Sequence, residues 1–304
     1  MYARRYALPA RSAFSVYFAF VLFLALLLGP AFSGREAISP RPLQKSWKTL
    51  FLLPLWCSPY LVYTIGTRDF HWLALAKLLA IGIPVLLIYR FIPVRNPRIL
   101  NWQDVVIALL LVAFVLSGQL KGIWNVPANL DFMSRLFLVA VASWGWVFLR
   151  PVPGLGYSVA ISSGVLKEAG LNFLYFAAIA IPLGFGLHFI KWNPRWPGLG
   201  LFCLNYLEIF FFIALLEELF FRGFLQNLLS NTLGSWVAGQ AIVSVLFGFF
   251  HILHAPFPNW RYVVLASVAG WFYGSAYRKT GSLMASSLLH AGVDMAWRTW
   301  LSVH

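Results

Sequence analysis

Four of the nine carboxylates in this 304-residue chain, Glu208, Glu217, Glu218 and Asp294, lie in apolar runs of its C-terminal third, with three of its six histidines, His251, His254 and His290. Carboxylate and imidazole are the usual carriers of general acid–base catalysis. An ionisable group inside hydrocarbon costs about 2.5–3.5 kcal/mol on insertion scales, so such residues point to function by default. Within Ile209–Leu229, IFFFIALLEELFFRGFLQNLL, Glu218 and Arg222 are four apart and share a helical face, where they can form an ion pair. Glu217 points about 100° away on an α-helix and is left outside that pair, a position suited to a general base acting on water. A salt bridge locking two helices accounts for this segment alone equally well.

The run VSVLFGFFHILH puts Phe247, His251 and His254 at successive turns. His254, beside Pro256 at the end of its run, reads as a water-facing residue. His251 is deeper and less easily explained by packing. The run SLLHAGVDMAW puts His290 and Asp294 on one face, where the carboxylate fixes the imidazole tautomer and raises its basicity. A helix-packing hydrogen bond, eased by the small residues Ala291 and Gly292, is the plain alternative. Glu208 lies about 180° around its helix from Glu217 and is expected to face another helix.

The elements that must position these groups are membrane helices. The chain is 61% hydrophobic and 11% charged, with a mean hydropathy of +0.77. Soluble domains carry about 25% charged residues, and a water-soluble fold has no place for so much apolar surface. The expected fold class is all-α, a polytopic transmembrane bundle of about eight to ten spans. The apolar runs are 13–33, 49–66, 71–89, 104–118, 134–149, 171–190, 200–229, 236–253, 261–278 and 282–301. They are continuous, which excludes the alternation of barrel strands. Run 49–66 contains Pro54 and Pro59, which allow a re-entrant segment there. Arg4, Arg5 and Arg11 before the first run resemble a secretory signal, but its length favours an uncleaved first span. The Pro- and Gly-containing stretch 150–166 marks the division, with accessory transmembrane helices in 1–166 and a functional core in 167–304.

The net charge of +14 comes from Lys and Arg spread through short loops, such as Arg35, Arg41, Lys45 and Lys48 or Arg90, Arg95 and Arg98. That distribution suits anionic headgroups and excludes a nucleic-acid stripe, so the bilayer is the expected partner and no nucleic acid is. Cys57 and Cys203 stand in unrelated apolar runs, which excludes a disulfide framework.

Three short patterns occur in order: Glu217-Glu218-Leu219-Phe220-Phe221-Arg222 is EExxxR, Phe247-Gly248-Phe249-Phe250-His251 is FxxxH, and His290-Ala291-Gly292-Val293-Asp294 is HxxxD. Together they resemble the motifs of the CAAX protease and bacteriocin-processing (CPBP, or Abi) family of intramembrane glutamic endopeptidases, over roughly residues 170–304. The resemblance implies a helical membrane fold, no cofactor or metal, a peptide or membrane-protein substrate, and a multi-pass location in a bacterial inner or plasma membrane. It implies that Glu217 activates water, His251 helps hold it, Arg222 braces the Glu217–Glu218 pair, and His290 with Asp294 stabilises the oxyanion or orients the site. The best-studied members carry Asn where this chain has Asp294, and an ionised carboxylate cannot donate a hydrogen bond. Asp294 is therefore expected to orient His290 while another donor holds the oxyanion.

Other readings of the same residues are a zinc hydrolase with Glu217, His251 and His290 as ligands, a proton relay in a transporter, and an inactive scaffold. The chain has neither an HExxH pair nor an internal repeat, which weighs against the first two.

Overall fold

The computed structural model describes residues 9–33, 46–126 and 130–303. Arg4, Arg5, Arg35, Arg41 and Lys45, named above for their charge, lie outside them. The described residues form ten helices and two three-residue strands, the all-α membrane architecture expected from the unbroken apolar runs. They divide into two compact units, Met1–Pro153 and Gly154–His304.

The first unit contains α1 (Ala10–Ser33), α2 (Leu52–Thr67), α3 (Trp72–Phe91), α4 (Trp102–Leu116) and α5 (Phe132–Trp144), the last continued by a π turn, Gly145–Leu149. Helix α2 is continuous rather than re-entrant. Pro54 falls in its first turn, where a missing N–H removes no helical bond. The unit is pinned by one fully buried ion pair. Arg150 donates from Nε to Asp104 Oδ1 at 2.8 Å and from Nη2 to Oδ2 at 2.9 Å, and also donates to the carbonyls of Pro97 and Ile99. Tyr89 adds a hydroxyl bond to Asp104 Oδ1 at 3.1 Å. Bidentate geometry with the remaining donors occupied is what lets a buried pair offset its own desolvation.

The second unit contains α6 (Ser163–Gly186), α7 (Leu199–Leu233), α8 (Trp236–Phe249), α9 (Trp260–Thr280) and α10 (Leu283–Trp300). Helix α9 packs against α6, α8 and α10, and α10 packs against α6 and α7. The sequence starts these helices with side-chain caps. Ser162, Ser235, Asn259 and Ser282 each accept from a backbone N–H in the first turn of α6, α8, α9 and α10. After α6, strand β1 (Ile190–Trp192) pairs antiparallel with β2 (Leu301–Val303), which follows α10 directly.

Six helices among the described residues are long and apolar enough to cross a membrane, fewer than the eight to ten expected. The reasons differ. Helices α4 and α8 have 15 and 14 residues, short of the roughly 20 that a span needs. Helices α9 and α10 are longer but carry Arg261, Arg278 and Lys279, or His290, Asp294 and Arg298.

Candidate active site

The acidic pair stands where α7 changes its hydrogen-bonding pattern. Glu217 and Glu218 end a short α stretch, Leu215–Glu218, between two π segments, Phe210–Ala214 and Leu219–Gln226. Such widened turns are rare and frequent at functional sites.

Glu218 is wholly buried, with a hydrogen bond on one oxygen and a charge contact on the other. Its Oε1 accepts from His290 Nδ1 at 3.0 Å, and its Oε2 lies 3.2 Å from Arg222 Nε. The second contact is one of charge rather than of alignment, since neither of those two atoms makes a hydrogen bond among the described residues. Arg222, also wholly buried, donates from Nη2 to the Gly270 carbonyl at 2.9 Å. Its guanidinium carbon is 4.7 Å from the centre of the Phe247 ring and 5.4 Å from that of Tyr273. The cation is thus held by a carboxylate, a carbonyl and two aromatic faces, which offset part of its desolvation, while Nε and Nη1 make no hydrogen bond among the described residues. Gly270 permits this approach. A Cβ there would stand 3.1 Å from Ser244 Cα and 3.3 Å from Arg222 Nη2.

His290 stacks on Tyr273, with ring centres 4.5 Å apart and planes 19° from parallel, and meets Phe247 edge-on at 5.7 Å. Its Nε2 is 3.7 Å from Asp294 Oδ2, beyond hydrogen-bond distance. Asp294 therefore acts on the imidazole through charge, and Glu218, arriving from α7, makes the bond that the HxxxD spacing assigns to Asp294. Glu218 takes that donor because a buried carboxylate needs one, whereas Asp294 is partly open to solvent.

Glu217 is half-buried, and among the described residues its carboxylate has no hydrogen bond or ion pair of its own. The charges of His290, Asp294, Glu218 and Arg222 bear on it. His251 lies beyond the helix expected to carry it, because α8 stops at Phe249, ahead of Pro256 and Pro258. Its Nδ1 is 2.9 Å from the Phe247 carbonyl. A carbonyl only accepts, so Nδ1 carries the hydrogen and the neutral ring presents a lone pair at Nε2. His254 is exposed and stacks on His251 at 5.7 Å. Glu208 sits outside the cluster, 3.8 Å from Arg298 in an exposed pair. No three His, Cys, Asp or Glu side chains among the described residues are grouped to hold a metal ion, so Glu217, His251 and His290 do not form a ligand set.

Sequence reasoning missed the aromatic wall. Tyr273 and Phe247 flank Arg222 and His290, while Tyr262 packs on His251 at 4.6 Å and is parallel to Trp297, 3° between planes. Phe247 enters through the FxxxH spacing. The two tyrosines carry no such signal in a chain that is 18% aromatic.

Residues 198–296 match the family model described as type II CAAX prenyl endopeptidase Rce1-like. No curated protein and no solved structure matches the chain. The matched stretch contains all seven defined residues of the three motifs, Glu217, Glu218, Arg222, Phe247, His251, His290 and Asp294, and lies wholly within the second unit. A helical membrane architecture, the three motifs and the matching family model coincide on one segment, and residues 198–296 are similar to the CAAX-protease (CPBP) family.

Proposed function

We propose that the second unit hydrolyses a peptide bond with a water molecule activated by Glu217, without a metal. The observation that carries this is the division of labour within the acidic pair. Glu218 is spent on Arg222 and His290, and Glu217 next to it has no hydrogen bond or ion pair among the described residues. Glu217 takes a proton from water, and His251 Nε2 accepts the other hydrogen and holds the oxygen in place. The nascent hydroxide attacks the scissile carbonyl carbon as the C=O π pair moves onto oxygen. His290, positioned by Glu218 and flanked by the Asp294 charge, faces that developing charge. Collapse reforms the carbonyl and breaks the C–N bond, and the proton held by Glu217 passes to the leaving amine.

The matched family description supports, as substrate, the prenylated C-terminal segment of a membrane-attached protein. The first unit serves as an accessory helical domain, and the location is a bacterial plasma membrane. The test compares the protein termini in membranes of cells expressing wild type or Glu217→Gln at matched levels. New termini only with wild type support the reading; identical termini from two well-folded proteins overturn it.

A further inference from the structure

The reaction needs a hydrogen-bond donor for the oxyanion, and the groups assigned so far supply it poorly. Asp294, when ionised, has no hydrogen to give. Arg222 is sealed in the bundle with its charge turned to Glu218 and Gly270. His290 spends Nδ1 on Glu218, which leaves Nε2, beside the Asp294 carboxylate, as its single site toward the oxyanion.

Tyr262 stands on the open side of the same cluster. It is the third residue of α9, and its backbone N–H is fixed by the Asn259 cap at 3.1 Å. Its ring lies 4.6 Å from His251, 5.1 Å from His254 and 5.4 Å from Phe189, and stacks parallel on Trp297, one turn beyond Asp294. These contacts hold the ring from both sides, on a cluster of Ala180, Phe189, Ile190 and Leu265. The hydroxyl makes no hydrogen bond among the described residues and is not sealed off from the surface. The charges of both Glu217 and Asp294 bear on it. A half-buried phenol on a rigid aromatic mount, beside the water-holding histidine and without an acceptor among the described residues, is arranged to donate to a substrate.

We infer that the Tyr262 hydroxyl is a catalytic residue, donating to the oxyanion of the tetrahedral intermediate the hydrogen bond that an ionised Asp294 cannot give. The inference rests on the Glu217–water reading above. No net proton moves at Tyr262: its O–H shortens toward the oxygen as the C=O pair shifts there, and relaxes when the carbonyl reforms.

The test uses a synthetic peptide spanning the cleavage junction that distinguishes wild-type from Glu217→Gln membranes. Tyr262→Phe keeps the ring and its stacking and removes only the donor. The expected result is a fall in kcat of about 100-fold with KM unchanged. In an Asp294→Asn background, where an amide donor is introduced, the same substitution costs about tenfold less. Wild-type kcat in Tyr262→Phe overturns the inference, and so does an equal loss in both backgrounds, which is the signature of a structural role. A 3-fluorotyrosine at 262 gives a second reading that keeps ring and hydroxyl: the stronger donor shifts kcat at constant KM, and no shift overturns the inference. Activity retained by Glu217→Gln would sink the underlying mechanism and is scored separately from Tyr262.

Discussion

Replacing Arg222 by Met strips the wholly buried Glu218 carboxylate of its counter-charge and leaves the Gly270 carbonyl without its donor. Removing one partner of a buried ion pair costs about 3–5 kcal/mol. An orphaned buried carbonyl adds about 1–3 kcal/mol. Glu218 keeps its bond from His290, and Met fills part of the volume between Phe247 and Tyr273, so the low end applies, about 4 kcal/mol in all. Unfolding in mixed micelles, followed by tryptophan fluorescence, measures it. The companion Arg222→Met/Glu218→Gln removes both charges at once and is expected to recover at least about 1 kcal/mol, because no unpaired ion remains. A single variant within about 1 kcal/mol of wild type, or a double variant that simply adds the two losses, would refute the account of Glu218 as spent on Arg222.

Three further outcomes follow from particular contacts. Arg150→Met in the first unit breaks the bidentate pair with Asp104 and is expected to destabilise by about 3–5 kcal/mol in the same assay. Gly270→Ala pushes a methyl against the Ser244 backbone and the Arg222 guanidinium, costing about 1–3 kcal/mol together with activity, whereas Gly170→Ala on an open face of α6 stabilises by about 0.5–1 kcal/mol. Glu208→Gln disturbs only the exposed contact to Arg298 and is expected to stay within about 0.5 kcal/mol of wild type, with unchanged cleavage.

The polar core was legible because charge is scarce in this chain. Eleven per cent charged residues make Glu217, Glu218 and Asp294 conspicuous in apolar runs, and four-residue spacing pairs Glu218 with Arg222 directly. The limits of that reading are equally physical. A uniform 100° per residue does not hold along α7, where the two π segments insert extra residues, so angular placements across Phe210–Gln226 carry an error that periodicity does not reveal. Spacing within α10 suggested that Asp294 would bind His290, yet a residue 72 positions earlier in the chain, Glu218, takes the hydrogen bond. Local sequence contains no information about that partner. Hydrophobic length alone overcounted the spans, because run 236–253 continues past the helix end at Phe249 and run 261–278 begins and ends on Arg261 and Arg278. Tyr262 and Tyr273 gain their importance only from what α9 brings them against.

The central claim is that Glu217 activates the hydrolytic water without a metal. Its most direct test is cleavage of the junction peptide by purified wild type, Glu217→Gln and Glu217→Asp, each with and without a zinc chelator. The account predicts undiminished wild-type cleavage in chelator, a loss of at least about 100-fold in Glu217→Gln, and an intermediate rate in Glu217→Asp. Cleavage retained by Glu217→Gln, or abolished by chelator and restored by zinc, would contradict it.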